Sequence, residues 1–116
     1  MVESIEFDSK WQELKRRFEE RLVNRFEVID QAWQKLSALP SDEEALSTLF
    51  HQVHSLAGSG ATFGYDELSQ SARVVEPLID PLGLASGEPL DRPRLDQIER
   101  GLTEIRREAR NINAAI

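Results

Sequence analysis

The chain's two histidines, His51 and His54, lie three positions apart, and the second opens the run "HSLAGSGATFG", His54 to Gly64. An imidazole with one unprotonated ring nitrogen is a good nucleophile and forms covalent intermediates near neutral pH. The residues before His54 have helical spacing, yet Gly58, Gly60 and Gly64 follow it. Each glycine inside a helix costs roughly 1 kcal/mol relative to alanine. Take the helix at about 100° per residue. Leu46, Leu49, Phe50, Val53, Ala57 and Gly60 then form one apolar face. His54 falls about 100° from the centre of that face, on its flank, and His51 falls near the solvent pole. Gly58 lies one turn beyond His54 and leaves a bare patch through which another molecule can approach the imidazole. Gly60 faces inward, where it lets a neighbouring helix come close. Gly64 ends the helix.

The elements that must position this run are all helical. Trp11, Leu14, Phe18, Leu22, Phe26, Ile29, Trp33 and Leu36 recur at steps of three or four, which predicts a long first helix of about 45 Å. Asp8 or Ser9 is expected to cap its start, and Leu39-Pro40 ends it. Ser41 with Glu44 reads as a capping box for the second helix. Asp66 is expected to cap the third, with Leu68, Ala72, Val75 and Ile79 inward. Pro77 interrupts that pattern and predicts a kink or an early end. "DPLGLASGEPLDRP" is a loop by composition. Asp91 caps a last helix with Leu95, Ile98, Leu102, Ile105, Ala109 and Ile112 inward. Four amphipathic helices without a strand predict an all-α, up-down-up-down antiparallel four-helix bundle. It is expected to form one domain over residues 1–116.

The run "HSLAGSGATFG" resembles the signature of histidine-containing phosphotransfer (HPt) domains, approximately HxLKGxxxxxG, including the phosphotransfer domain of chemotaxis histidine kinases. His54, Leu56, Gly58, Phe63 and Gly64 match in place. The family is also a four-helix bundle with this motif on its second helix. The resemblance implies that His54 is a phosphoryl acceptor in a two-component phosphorelay. It would exchange phosphate with the aspartate of a response-regulator receiver domain, or take it from a histidine kinase. The resemblance also implies that a glutamate on the next helix, Glu76 by position, bonds the second imidazole nitrogen and so orients the ring. The receiver would bring its own acidic pocket and Mg²⁺, so this chain needs no cofactor and is a carrier without catalytic activity of its own.

Two residues depart from the pattern. The family's lysine three positions after the histidine is Ala57 here. Arg73, one turn before Glu76, is a candidate to supply that charge to the phosphoryl group. Pro77 follows Glu76 directly, and a residue before proline resists helical geometry. Docking is expected over Ser55, Gly58, Ser59 and Thr62, through packing more than charge. Two other readings remain open at the level of sequence. His51, His54 and Glu76 could form a metal site, although the HExxH arrangement is absent. The chain could also be a four-helix interaction module without phosphoryl chemistry.

Composition narrows the classes. In 116 residues, 21 acidic side chains outnumber 14 basic ones for a net charge of −7, which argues against nucleic-acid binding. The basic clusters at 10–25 and 92–110 are interleaved with glutamates, as on solvated helix faces. There is no cysteine, hence no disulfide or thiolate site. No apolar run is long enough to span a membrane, and the start "MVESIEFDSK" is no signal peptide. A cytoplasmic monomer is expected.

Overall fold

A computed structural model of the chain describes residues 2–84 and 87–116, with side chains from Phe7 onward. Four α-helices follow in order: α1 (Val2–Ala38), α2 (Glu43–Thr62), α3 (Asp66–Ile79) and α4 (Arg92–Ile112). A single 3₁₀ turn, Pro81–Gly83, lies between α3 and α4. Among the described residues there is no strand. No described helix is long and apolar enough to cross a membrane.

Side-chain contacts fix the directions. Arg25 meets Ser55, and Tyr65 meets Glu19, so α2 runs antiparallel to α1. Ser69 meets Ala57 and Glu76 meets His54, so α3 runs antiparallel to α2. Asn113 meets Glu19 and Arg106 meets Asp30, so α4 also runs antiparallel to α1. The result is the antiparallel four-helix bundle that the periodicity predicts. Its core is aliphatic: Leu22, Ile29, Leu36, Leu49, Val53, Leu56, Leu68, Val75, Ile79, Ile98 and Ile105 are fully buried. Leu56 belongs to this core although the apolar face read from the sequence omitted it.

Four local expectations need correction. Asp8 and Ser9 do not cap α1, which is already helical at Val2. Leu14 shares the apolar spacing but is 53% exposed, as Phe7 is at 68%. The reason is length: α1 has 37 residues and α2 only 20, so the amino-terminal turns of α1 extend past the helices that cover the core. The cap of α2 is Asp42, one residue after Ser41. Its carboxylate accepts from the Ala45 amide at 3.0 Å, an oxygen-to-N3 bond that satisfies an otherwise orphaned donor. Asp66 does not cap α3 but is its first residue; Tyr65 precedes it and makes no side-chain cap. There Asp66 and Glu67 still place negative charge at the helix's positive end. Asp91 caps α4 as expected, accepting from Arg94 at 2.9 Å.

Glycines set the spacing of the bundle. Gly64 has φ +83°, a conformation open to glycine at little cost. It lets Tyr65 N–H donate to Gly60 C=O at 2.7 Å and Gly64 N–H donate to Ala61 C=O at 3.2 Å. These two bonds close α2 in a Schellman motif. A Cβ at Gly60 would sit 3.3 Å from the Ser69 amide nitrogen, so α3 crosses α2 at near-backbone distance. Gly101 on α4 makes room for a side chain of α3, since a Cβ there would drive into Val75 Cγ2. α3 carries Pro77 in its last turn and ends at Ile79, two residues later.

Candidate functional site

His54 lies within α2 on the flank of the buried face, and its side chain is 67% exposed. Its Nδ1 is 3.2 Å from Oε2 of Glu76 on α3. A carboxylate only accepts, so this bond requires the proton on Nδ1. The neutral ring then has its lone pair on Nε2. Glu76 is only 23% exposed. Preceding a proline has not turned it away, because α3 stays helical through Glu76 and carries the side chain toward α2.

A second contact orients the ring. Phe50, one turn before His54, stacks on the imidazole with centroids 5.7 Å apart and planes at 18°. The phenyl ring is itself packed against the core. The sequence reading placed Phe50 in the core face and missed this role. Its i, i+4 spacing to His54 was the available signal. His51 is exposed, and its ring is tilted 60° to that of Phe50 with centroids 6.1 Å apart. Among the described residues no group of three or more His, Asp or Glu side chains is placed to hold a metal ion.

The surroundings of His54 on α2 are small. A Cβ added at Gly58 would meet nothing within 4 Å, so the approach to the imidazole along that side is open. Thr62 is exposed and donates its hydroxyl proton to Gly58 C=O at 3.0 Å. Ser59 is half-buried. Ser55 accepts a hydrogen bond at 2.7 Å from Nη1 of Arg25 on α1. That contact spans 30 residues of sequence and left no local signal. Burial, and secondarily the positive charge of Arg21, hold the Arg25 guanidinium below its ordinary pKa.

Ala57 is only 4% exposed and its carbonyl accepts from Ser69 Oγ at 2.7 Å. The position where the motif has a lysine is thus turned to the α2–α3 contact. Arg73 is exposed on α3, three residues before Glu76, and has no hydrogen bond or ion pair to a described residue.

An exposed, carboxylate-bonded histidine beside a bare glycine on the second helix of a bundle is the arrangement the motif implies. A family model described as Hpt domain matches residues 13–108. The chain belongs to the Hpt domain family. An Hpt domain is a histidine phosphotransfer module of two-component signalling, a phosphocarrier more than a catalyst. The chain is also 30% identical over 77 residues to "Chemotaxis protein CheA" of Halobacterium salinarum. That match covers 66% of this chain and 11% of that protein. No solved structure matches the chain significantly.

Proposed function

We propose that this Hpt domain, one domain over residues 1–116, carries a phosphoryl group on His54 Nε2. It exchanges the group with the aspartate of a receiver domain, or takes it from a histidine kinase. The observation that supports this most is the pairing of an exposed His54 with Glu76 through Nδ1. In the neutral ring with its proton on Nδ1, the Nε2 lone pair attacks the phosphorus of an aspartyl phosphate directly. A nitrogen–phosphorus bond forms and the phosphorus–oxygen bond breaks. The aspartate leaves as a free carboxylate. Positive charge develops on the imidazole, and the Glu76 carboxylate on Nδ1–H offsets it. Reversal of the same step returns phosphate to a receiver. Phe50 and Glu76 restrict the ring from two directions. Arg73 takes the part of the missing lysine at Ala57 and contacts the phosphoryl oxygens. Ser55, Gly58, Ser59 and Thr62 form the surface on which the partner sits. The chain supplies no activity of its own, and its partner provides the metal.

The test is phosphate exchange with a panel of purified receiver domains, each loaded with radiolabelled phosphate from acetyl phosphate. The wild type is expected to acquire an acid-labile, base-stable label from at least one of them, and His54→Gln is expected to acquire none. Equal labelling of the two proteins refutes the carrier reading. No labelling of either leaves a binding module as the function. Arg73→Ala is expected to slow transfer, and an unchanged rate removes Arg73 from the site.

A further inference from the structure

Arg21 and Arg25 lie one turn apart on α1, on the side that meets α2. Several other arginines face a carboxylate: Arg16 with Glu20 at 3.1 Å, Arg17 with Glu13 at 2.7 Å, Arg92 with Asp96 at 3.7 Å, and Arg106 with Asp30. Arg21 and Arg25 have no such partner among the described residues. Arg25 is half-buried, and its described hydrogen-bond partner is the neutral hydroxyl of Ser55. Like charges at i, i+4 destabilise a helix. Partly burying an unpaired cation adds to that cost. A chain with net charge −7 has carboxylates in surplus, yet none neutralises this pair. Three residues beyond Arg25, Val28 leaves 37% of its surface exposed. The strip is thus basic with an apolar end. At Arg25 it borders Ser55, the neighbour of His54, and at Val28 it meets Thr48 and Glu44 of α2.

We propose that Arg21 and Arg25 form the electrostatic half of the docking surface and receive a carboxylate-bearing face of the phosphate-exchanging partner. The inference rests on the carrier reading of His54 and adds the chemistry of the partner's rim. The partner's carboxylates replace the missing ion-pair acceptors. Ser55 holds the Arg25 guanidinium in place before the partner arrives, which lowers the ordering cost on binding. The charge also favours a partner with an acidic rim over a basic one. Recognition therefore uses charge from α1 as well as the packing over α2.

The experiment uses whichever receiver domain labels the wild-type chain, with phosphoramidate as a small donor that needs no docking. Arg21→Glu/Arg25→Glu is expected to raise KM for the phosphorylated receiver by about tenfold or more. It should also flatten the dependence of that KM on salt. Labelling of His54 by phosphoramidate is expected to stay at the wild-type rate. Arg21→Glu alone, at an exposed position with no described partner, gives the same direction without disturbing Ser55. An unchanged KM and salt dependence in both variants overturns the inference while His54 still carries phosphate. A wild type labelled by no donor defeats the carrier reading itself, and the inference falls with it.

Discussion

Phe50 and His54 lie nearly parallel and offset on α2, with ring centroids 5.7 Å apart and planes 18° apart. Phe50 bounds the imidazole on one side, and the His54 side chain stays 67% exposed. Glu76 occupies part of the edge through Nδ1. Aromatic pairs of this kind contribute about 0.5–1.5 kcal/mol beyond their buried area. Phe50→Leu keeps an apolar group on the core but removes the flat partner. We expect His54 to be labelled by phosphoramidate about two- to tenfold more slowly in this variant, with its helix content unchanged by circular dichroism. A wild-type labelling rate in Phe50→Leu shows that Glu76 alone holds the ring.

Glu76 supplies both an acceptor and a charge, and two substitutions separate them. Glu76→Gln retains an oxygen that can accept from Nδ1–H but removes the anion. Glu76→Ala removes both. Charge-assisted hydrogen bonds are about twice as strong as neutral ones. Phosphotransfer is therefore expected to fall about tenfold in Glu76→Gln and further in Glu76→Ala. Nitrogen NMR of the neutral ring checks the cause. The proton should remain on Nδ1 in the wild type and Glu76→Gln, and spread over both nitrogens in Glu76→Ala.

The parts of this fold that periodicity governs were legible without coordinates. Leu22, Phe26, Ile29 and Leu36 had to share a face whatever the neighbours were, and they are buried. Periodicity does not say where a helix loses its neighbours, so it puts Leu14 inward although Leu14 is 53% exposed. Ser41 and Asp42 are both good caps, and only backbone geometry chose Asp42. The site divides along the same line. His54 and Gly58 stand one turn apart on one helix and are legible from spacing, whereas Glu76 is legible only through the resemblance to the HPt signature. The Arg25 bond to Ser55 joins distant segments and depends on the rotation of α1 against α2. No local pattern encodes that rotation. Gly101 went unremarked for the same reason, because its partner is a valine on another helix.

Gly58 and its open surroundings give two opposed expectations for one position. A side chain there meets no atom of the protein within 4 Å, and replacing a mid-helix glycine removes roughly 1 kcal/mol of helix cost. Gly58→Ala and Gly58→Lys should therefore unfold no earlier in urea than the wild type. Gly58→Lys is nevertheless expected to lose phosphate exchange with the receiver, since its side chain projects into the approach to His54. Normal exchange in Gly58→Lys refutes docking over this residue.

Gly101 predicts the reverse. Its Cβ position coincides with the space held by Val75 Cγ2, and a β-branched side chain in a core has little freedom to move aside. Overpacking of this kind costs about 1–3 kcal/mol, against about 1 kcal/mol regained from helix propensity. Gly101→Ala should lower the thermal midpoint by several degrees, and Gly101→Ala/Val75→Ala should separate the clash from the glycine effect. Val75→Ala alone leaves a cavity, so the signature is non-additivity: the double variant is more stable than the two single losses summed.

Tyr65 provides a reporter on the junction of α1, α3 and α4. Its hydroxyl donates to Glu19 Oε1 at 2.6 Å, and the Glu19 carbonyl accepts from Asn113 at 2.9 Å. Burial first, then the hydrogen bond and charge of Glu19, push the phenol up to about 12 from its ordinary 10.0. The folded state thus keeps a proton that the unfolded chain has already released. This contribution to stability is complete below about pH 10 and is lost as pH rises from there toward about 12. The chain has one tyrosine, so phenolate absorbance reads this group alone. The titration midpoint should lie near 12 in the wild type and fall toward the ordinary value in Glu19→Gln. The stability measurement is taken as a difference: urea unfolding of the wild type should weaken with pH across this window more steeply than that of Tyr65→Phe. Equal slopes would mean that the junction does not retain the phenol's proton.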